Sequence, residues 1–208
     1  ERSAHDLSSH RVAIHAGAPC PPDIKRRMIA WWGPILHEYY SGTESIGFTH
    51  VSSAEWLARP GTVGRAHGCA IHILDEAGQP LPAGETGTVF FEGKSGLAYH
   101  NDAVKTQVAH STQGWATMGD IGWLDQDGYL FLADRRAFTI ISGGVNIYPA
   151  EIEAVLSQHP AVADVAVFGI PDADLGESVL ALVELTPERT GDARLAQELA
   201  NHAATELA

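Results

Sequence analysis

The sequence predicts a mixed α/β fold: an α/β domain that carries a small antiparallel β region, followed by the start of a second, smaller α/β domain. Three observations carry that reading. Strand, helix and strand alternate near the amino end. Frequent turn signals then divide residues 70–133 into brief alternating segments. A short charged stretch, Asp134 to Ala137, precedes a reset of the pattern.

The elements follow in order. Val12 to Ala16 reads as a strand, closed by the turn residues Gly17-Ala-Pro-Cys-Pro-Pro22. Asp23 is placed to cap a helix running to Trp32, which Gly33-Pro34 stops. Ile35 to Tyr39 is the next strand and Tyr40 to Glu44 a polar loop, which completes a βαβ rhythm. Ala70 to Leu74 alternates into the turn Asp75-Glu-Ala-Gly78, with Thr88 to Glu92 as the return strand. A short helix is expected over Asp102 to Ala109. Two strands are expected within Gly114 to Ala133, separated by the turn Asp125 to Gly128.

Beyond the charged stretch, Thr139-Ile-Ile141 is a strand and Ser142-Gly-Gly144 a loop. Pro149 opens a helix to His159 that sets Ile152, Val155 and Leu156 on one face. Val162 to Ile170 is expected as a buried strand, Val179 to Leu185 as another, and Asp192 to Leu207 as the closing helix.

Composition narrows the chemistry. The chain has 208 residues, 45% hydrophobic and 19% charged, as in an ordinary globular protein. A net charge of -13 without a polybasic run argues against nucleic acid and anionic membranes as partners. Glycine amides and a few arginines remain able to hold an anionic cofactor locally. No apolar stretch reaches the roughly 18 residues of a membrane span. Two cysteines, Cys20 and Cys69, point to a reducing compartment, so a cytoplasmic location is expected. His5, His10 and His15 recur every five residues, which matches no ligand pair on a helix or strand face. With Glu1 first and little lead-in to Val12, the chain reads as cut from something longer.

Five segments carry chemistry. Gly17-Ala18-Pro19 is a turn whose glycine permits close approach to a flat ligand. Tyr40-Ser-Gly-Thr-Glu44 offers a ring that can stack, a hydroxyl that can donate to phosphate and a carboxylate that can hold Mg²⁺. Met118-Gly119-Asp120 presents a carboxylate able to accept from both hydroxyls of a ribose. Asp134-Arg135-Arg136-Ala137 lies at the pattern break. Ile141-Ser-Gly-Gly-Val-Asn-Ile-Tyr-Pro-Ala-Glu151-Ile-Glu153 holds paired glycines that suit a narrow passage. The first three, each taken alone, also read as a strand-ending turn, a polar loop with a buried tyrosine and a β-turn aspartate.

In this order the five segments resemble the adenylate-forming superfamily: acyl-CoA synthetases, luciferase-like enzymes and peptide-synthetase adenylation domains. The likeness is nearest to bacterial fatty-acid or medium-chain acyl-CoA ligases. It implies that residues 1–134 are the C-terminal part of a large adenylate-forming domain, 135–138 a hinge, and 139–208 the incomplete start of a small mobile domain. Under it Gly17, Ala18 and Pro19 lie against adenine, Tyr40 stacks on it, and Thr43 contacts phosphate. Glu44 holds Mg²⁺ and counts with Thr43 as catalytic. Asp120 and Arg135 grip the ribose, and Ala137 is the pivot.

Ser142, Gly143, Gly144 and Leu175 would line the passage for the pantetheine arm of coenzyme A. Ser41 stands where the family has glycine, Ala137 where it has Asp or Lys, and Val145 where it has glutamate. Ile170-Pro-Asp172 and Leu175-Gly-Glu177 continue the resemblance, and Leu175 stands where relatives often carry tryptophan. ATP (leaving as AMP), Mg²⁺, coenzyme A and a carboxylic, fatty acid are the implied partners, with a homodimer as a possible assembly.

The family's lysine-bearing phosphate loop and C-terminal catalytic lysine find no counterpart in these residues, so the chain alone is expected to be inactive in adenylation. Two other readings stand beside thioester formation with coenzyme A. One is transfer to a carrier protein or to oxygen; the other is a non-catalytic nucleotide- or acyl-binding module. A nicotinamide-binding fold is excluded, since no Gly-X-Gly-X-X-Gly follows a strand. Trp31, Trp32, Tyr39, Ile46 and Phe48 are candidates for an acyl pocket or for core.

Overall fold

In the computed structural model, which describes residues 5–93 and 96–207, Ala13–His15 (β1) and Leu36–Tyr40 (β2) are parallel neighbours. The helix Pro22–Trp32 (α1) connects them, as the βαβ rhythm requires. Its start differs from expectation. Pro21 occupies the cap position and Pro22 opens the helix, so Asp23 caps nothing; its carboxylate instead meets Arg26 at 3.2 Å within the first turn. Proline already has helical φ and no N–H to satisfy, which moves the start one residue earlier. Gly33, at φ 83°, ends the helix by donating its amide to the Ile29 carbonyl.

Three elements follow that hydrophobic periodicity does not announce: Thr49–Ser52 (β3), Ser53–Ala58 (α2) and Thr62–Ala66 (β4). Helix α2 begins with a capping box, in which Ser52 and Glu55 satisfy each other's backbone amides. Ala70–Leu74 (β5) and Gly87–Glu92 (β6) pair antiparallel as expected, and Ala103–Val108 (α3) is capped by Asp102. Asp120–Leu124 (β7) and Tyr129–Arg135 (β8) complete one eight-stranded sheet of order β1-β2-β3-β4-β8-β7-β6-β5. The antiparallel region therefore shares its hydrogen-bonded sheet with the βαβ unit. Helices α1 and α2 cover one face through Ile29, Leu36, Val51 and Trp56. A second core gathers Ile46, Ile73, Val89, Phe91, Ala116 and Leu130.

One compact unit ends at Leu132 and a second begins at Ala133. The second holds Ile140–Ser142 (β9), Val145–Ile147 (β10), Pro149–Leu156 (α4), Val162–Asp172 (β11), Gly176–Leu185 (β12) and Ala193–Glu206 (α5). Its sheet runs β10-β9-β12-β11, and its core is built from Ile140, Leu156, Ala161, Val162, Val167, Leu195 and Leu199. Strand β11 is not the buried strand that its apolar run suggests. Only Val162 and Val167 are buried along it, while Phe168 and Ile170 are exposed, because both helices pack on one side of the sheet. Among the described residues no helix is long and apolar enough to cross a membrane.

Ser142-Gly-Gly144 is more than a loop. Ser142 and Val145 face each other across the β9–β10 ladder, with Gly143 at φ 56° and Gly144 at φ 82°. Positive φ at both central positions defines the mirror-image type I′ turn, whose twist matches that of the flanking strands. Glycine suits both positions because it takes positive φ without a Cβ penalty.

Candidate functional site

Tyr40 closes β2 and Asp120 opens β7, with β3, β4 and β8 between these strands in sheet order. The sheet nevertheless curls far enough for the Tyr40 hydroxyl to donate to Asp120 Oδ2. Asp120 is buried, and the Tyr40 ring leans on Phe91 with centroids 6.0 Å apart. One ring thus has an apolar backing, a fixed tilt and a carboxylate at its tip.

The Tyr40–Glu44 loop is seated on the Met118–Asp120 segment. A Cβ on Gly42 would fall on Met118 Sδ and lie 2.6 Å from Glu44 Oε2, so glycine there lets the two motifs touch. Ser41 Oγ donates to the Gly47 carbonyl at 2.7 Å and closes the loop. Thr43 is exposed, with its hydroxyl 3.4 Å from Glu44 Oε2. Glu44 Oε1 accepts from the Tyr99 hydroxyl at 3.2 Å. Burial, then the Glu44 charge, holds the Tyr99 phenol above its ordinary value, so it stays a neutral donor. Thr117 anchors the other segment, donating to the Val89 carbonyl at 2.7 Å and accepting the Gly119 amide at 2.9 Å.

Gly17 leaves β1 at the same end at which its parallel partner β2 reaches Tyr40, the usual crevice of an α/β sheet. A Cβ there meets nothing within 4 Å; its φ of 85° is what calls for glycine. Ala18 and Pro19 continue that turn and are exposed. Beneath it, Lys25 of α1 and Glu38 of β2 form a buried ion pair, with His15 Nδ1 3.4 Å from the same carboxylate. Of the acyl-pocket candidates, Ile46 is core, Trp32 packs on core, and Tyr39 and Phe48 stack on each other at the surface.

In the second unit, Arg135 is exposed. Its amide donates to Asp134 Oδ1 at 2.6 Å, while Asp134 Oδ2 accepts the Ala150 amide at the start of α4. Ala137 lies in a single 3-10 turn, Arg136–Phe138. Ser142, Gly143, Gly144 and Leu175 come together. Gly143 donates its amide to the Leu175 carbonyl at 2.8 Å, and a Cβ on Gly143 would stand 3.3 Å from Leu175 Cδ2.

Tyr99, Thr117, Phe91 and Glu177 are the supports that motif reading passes over. None of them carries a local signal of its role, except that Leu175-Gly-Glu177 continues the family-like run.

Residues 1–98 match the profile of the AMP-binding enzyme family, and residues 151–208 match the AMP-binding enzyme C-terminal domain. The chain belongs to the AMP-binding enzyme family. An indoleacetate–CoA ligase of Aromatoleum aromaticum is 38% identical over 192 residues, taking in 90% of this chain and 37% of that protein. A long-chain-fatty-acid–CoA ligase of Bacillus subtilis is 31% identical over 188 residues, 89% of this chain and 33% of its own length. The chain thus spans about a third of the curated relatives it matches.

Among solved structures, the amide bond synthetase McbA from Marinactinospora thermotolerans aligns with a TM-score of 0.82 at 32% identity, over 96% of this chain and 42% of that one. The o-succinylbenzoate CoA synthetase of Bacillus subtilis, in complex with its acyl-adenylate intermediate, gives 0.81 at 30% identity, over 97% and 42%.

The described residues contain no cluster of three metal-type side chains. Mg²⁺ needs no such cluster, since it is commonly held by one or two carboxylates together with substrate phosphates. The Glu44 carboxylate, which accepts from Tyr99, is of the kind that would take such a place.

Proposed function

We propose that the enzyme carrying this chain activates a carboxylic acid in two steps. The carboxylate attacks the α-phosphate of ATP, giving acyl-AMP and pyrophosphate. The coenzyme A thiol then attacks the acyl carbon; the thioester forms, AMP leaves and the thiol proton passes to solvent. The observation that carries this reading is the convergence of Tyr40 and Asp120 from the two arms of one sheet.

Each residue has a part. Tyr40, backed by Phe91, stacks on adenine, and Gly17, Ala18 and Pro19 flank the ring. Asp120 accepts the ribose hydroxyls. Thr43 donates to a phosphate oxygen, and Glu44 holds Mg²⁺. When bound, that ion neutralises charge that develops on the phosphates. The Ser142–Val145 turn and Leu175 line the passage of the pantetheine arm. Residues 1–134 and 139–208 are two domains that pivot near Ala137, a division supported by the break between Leu132 and Ala133.

The acid is a fatty acid on the sequence reading, although relatives act on acids as different as long-chain fatty acids and indoleacetate. Isotope exchange between pyrophosphate and ATP, run on the active enzyme with a panel of acids, tests the first step. No acid-dependent exchange would end the proposal. A second reading, transfer of the acyl group to an amine, draws on the likeness to an amide bond synthetase. Thioester and amide products, measured side by side, separate the two.

A further inference from the structure

Strand β9 is short of backbone partners on its β12 side. The register there joins only Ser142 to Gly176, and the Ile141 amide one residue earlier is taken by a side chain: it donates to Glu177 Oε2 at 2.8 Å. Room for that carboxylate comes from a third strand. A Cβ on Gly169 of β11 would stand 2.8 Å from Glu177 Oε1 and 3.1 Å from Cδ. Gly169 has no positive φ, so space and not backbone conformation is what it provides. One residue beyond the Ile141 contact, the chain enters the turn whose Gly143 amide is held by the Leu175 carbonyl. The segment Leu175–Glu177 therefore holds two amides here, Gly143 within the turn through backbone and Ile141 in the strand leading into it through a carboxylate.

We propose that Glu177, seated in the gap left by Gly169, is a positioning residue for the acyl-acceptor step, holding the Ser142–Val145 turn at the height at which it meets the acceptor arm. This rests on the reading of that turn as the lining of the acceptor passage. A charge-assisted bond to a backbone amide is stronger than a neutral one and fixes direction as well as distance. Losing it frees β9 at the one point where the ladder to β12 is incomplete.

The logic yields three variants with different fates. Glu177→Ala removes the acceptor. Gly169→Ala leaves Glu177 in the chain but displaces its flexible carboxylate, so it reproduces the loss from another strand, with Ile140 Cγ2, 3.3 Å from the new Cβ, giving way by a few tenths of an ångström. Glu177→Gln keeps an oxygen able to accept from Ile141. Amide hydrogen exchange on the chain should speed up at Ile141 and Gly143 by at least about tenfold in the first two variants and stay near the parent rate in the third.

In the active enzyme, the first two variants should raise KM for coenzyme A several-fold while acid-dependent pyrophosphate exchange is unchanged, and Glu177→Gln should restore KM. Unaltered exchange at Ile141 and Gly143 in both alanine variants overturns the positioning role. Faster exchange at these amides with an unchanged KM would uphold the grip on the turn and overturn the acceptor reading of it.

Discussion

The Tyr40 hydroxyl donates to the Asp120 carboxylate across eighty residues of chain, and this bond joins the end of β2 to the start of β7. The two residues answer differently to substitution. Asp120→Asn should weaken binding of AMP, or of an acyl-AMP mimic, by about tenfold or more, the scale of a lost hydrogen bond to a charged group. Tyr40→Phe keeps the ring and leaves the carboxylate to the ribose, so affinity should stay within about threefold. Calorimetric titration of both variants checks the contrast, and equal losses would contradict the assigned roles.

Glu55 ties acid stability to a helix start. Its carboxylate accepts from the Ser52 hydroxyl and amide and from the Tyr129 hydroxyl, and these bonds hold its pKa at about 2. The folded value lies below that of the unfolded chain, so the contribution is complete above the ordinary glutamate range. It fades as pH falls from about 5 towards 2. Glu55→Gln should flatten the pH dependence of denaturation midpoints across that window and cost about 1 kcal/mol at neutral pH. An unchanged acid limb in chemical denaturation would refute the assignment.

Lys25 and Glu38 test the buried pair. Lys25→Met strands a carboxylate in the interior and should cost about 3–5 kcal/mol. Adding Glu38→Leu should recover most of that, because a well-packed apolar pair can replace a buried ion pair. Urea unfolding of the single and double variants gives the comparison; a double variant weaker than the single would show that the pair does more than balance charge.

Gly64 and Gly144 separate two uses of glycine. At Gly64, φ is 100° and a Cβ would fall on the His50 carbonyl, so Gly64→Ala meets both backbone strain and a clash with a neighbouring strand. A loss of about 3 kcal/mol or more is expected. Gly144 has φ 82° and open space, so alanine there should cost only about 1 kcal/mol. Thermal midpoints in the reverse order would mean that strand spacing at β3–β4 yields easily.

The limits of α1 can be read in Pro22 and Gly33, because each acts through its own backbone. Strands β3 and β4 cannot be read so easily. Thr-His-Val-Ser offers four residues with one large aliphatic side chain, and its pairing with β2 is settled by Leu36, Val51 and Trp56 meeting in space. Ser52 and Glu55 do spell out a capping box, a signal that lies outside hydrophobic periodicity. Tyr40, Asp120 and the paired glycines stand out by motif. What holds them does not: Tyr99 beneath Glu44 and Glu177 beside Gly169 are joined only by tertiary structure.

On the roles proposed for Tyr40 and Asp120, the curl that brings β2 to β7 also governs when the chain becomes competent to bind. A nascent polypeptide that has made the βαβ unit alone possesses the aromatic half of the cradle and none of the acidic half, and a loop of eighty residues must close before the halves meet. Nucleotide can therefore favour only the finished sheet, so ligand present during synthesis or refolding would draw late species forward without rescuing early ones.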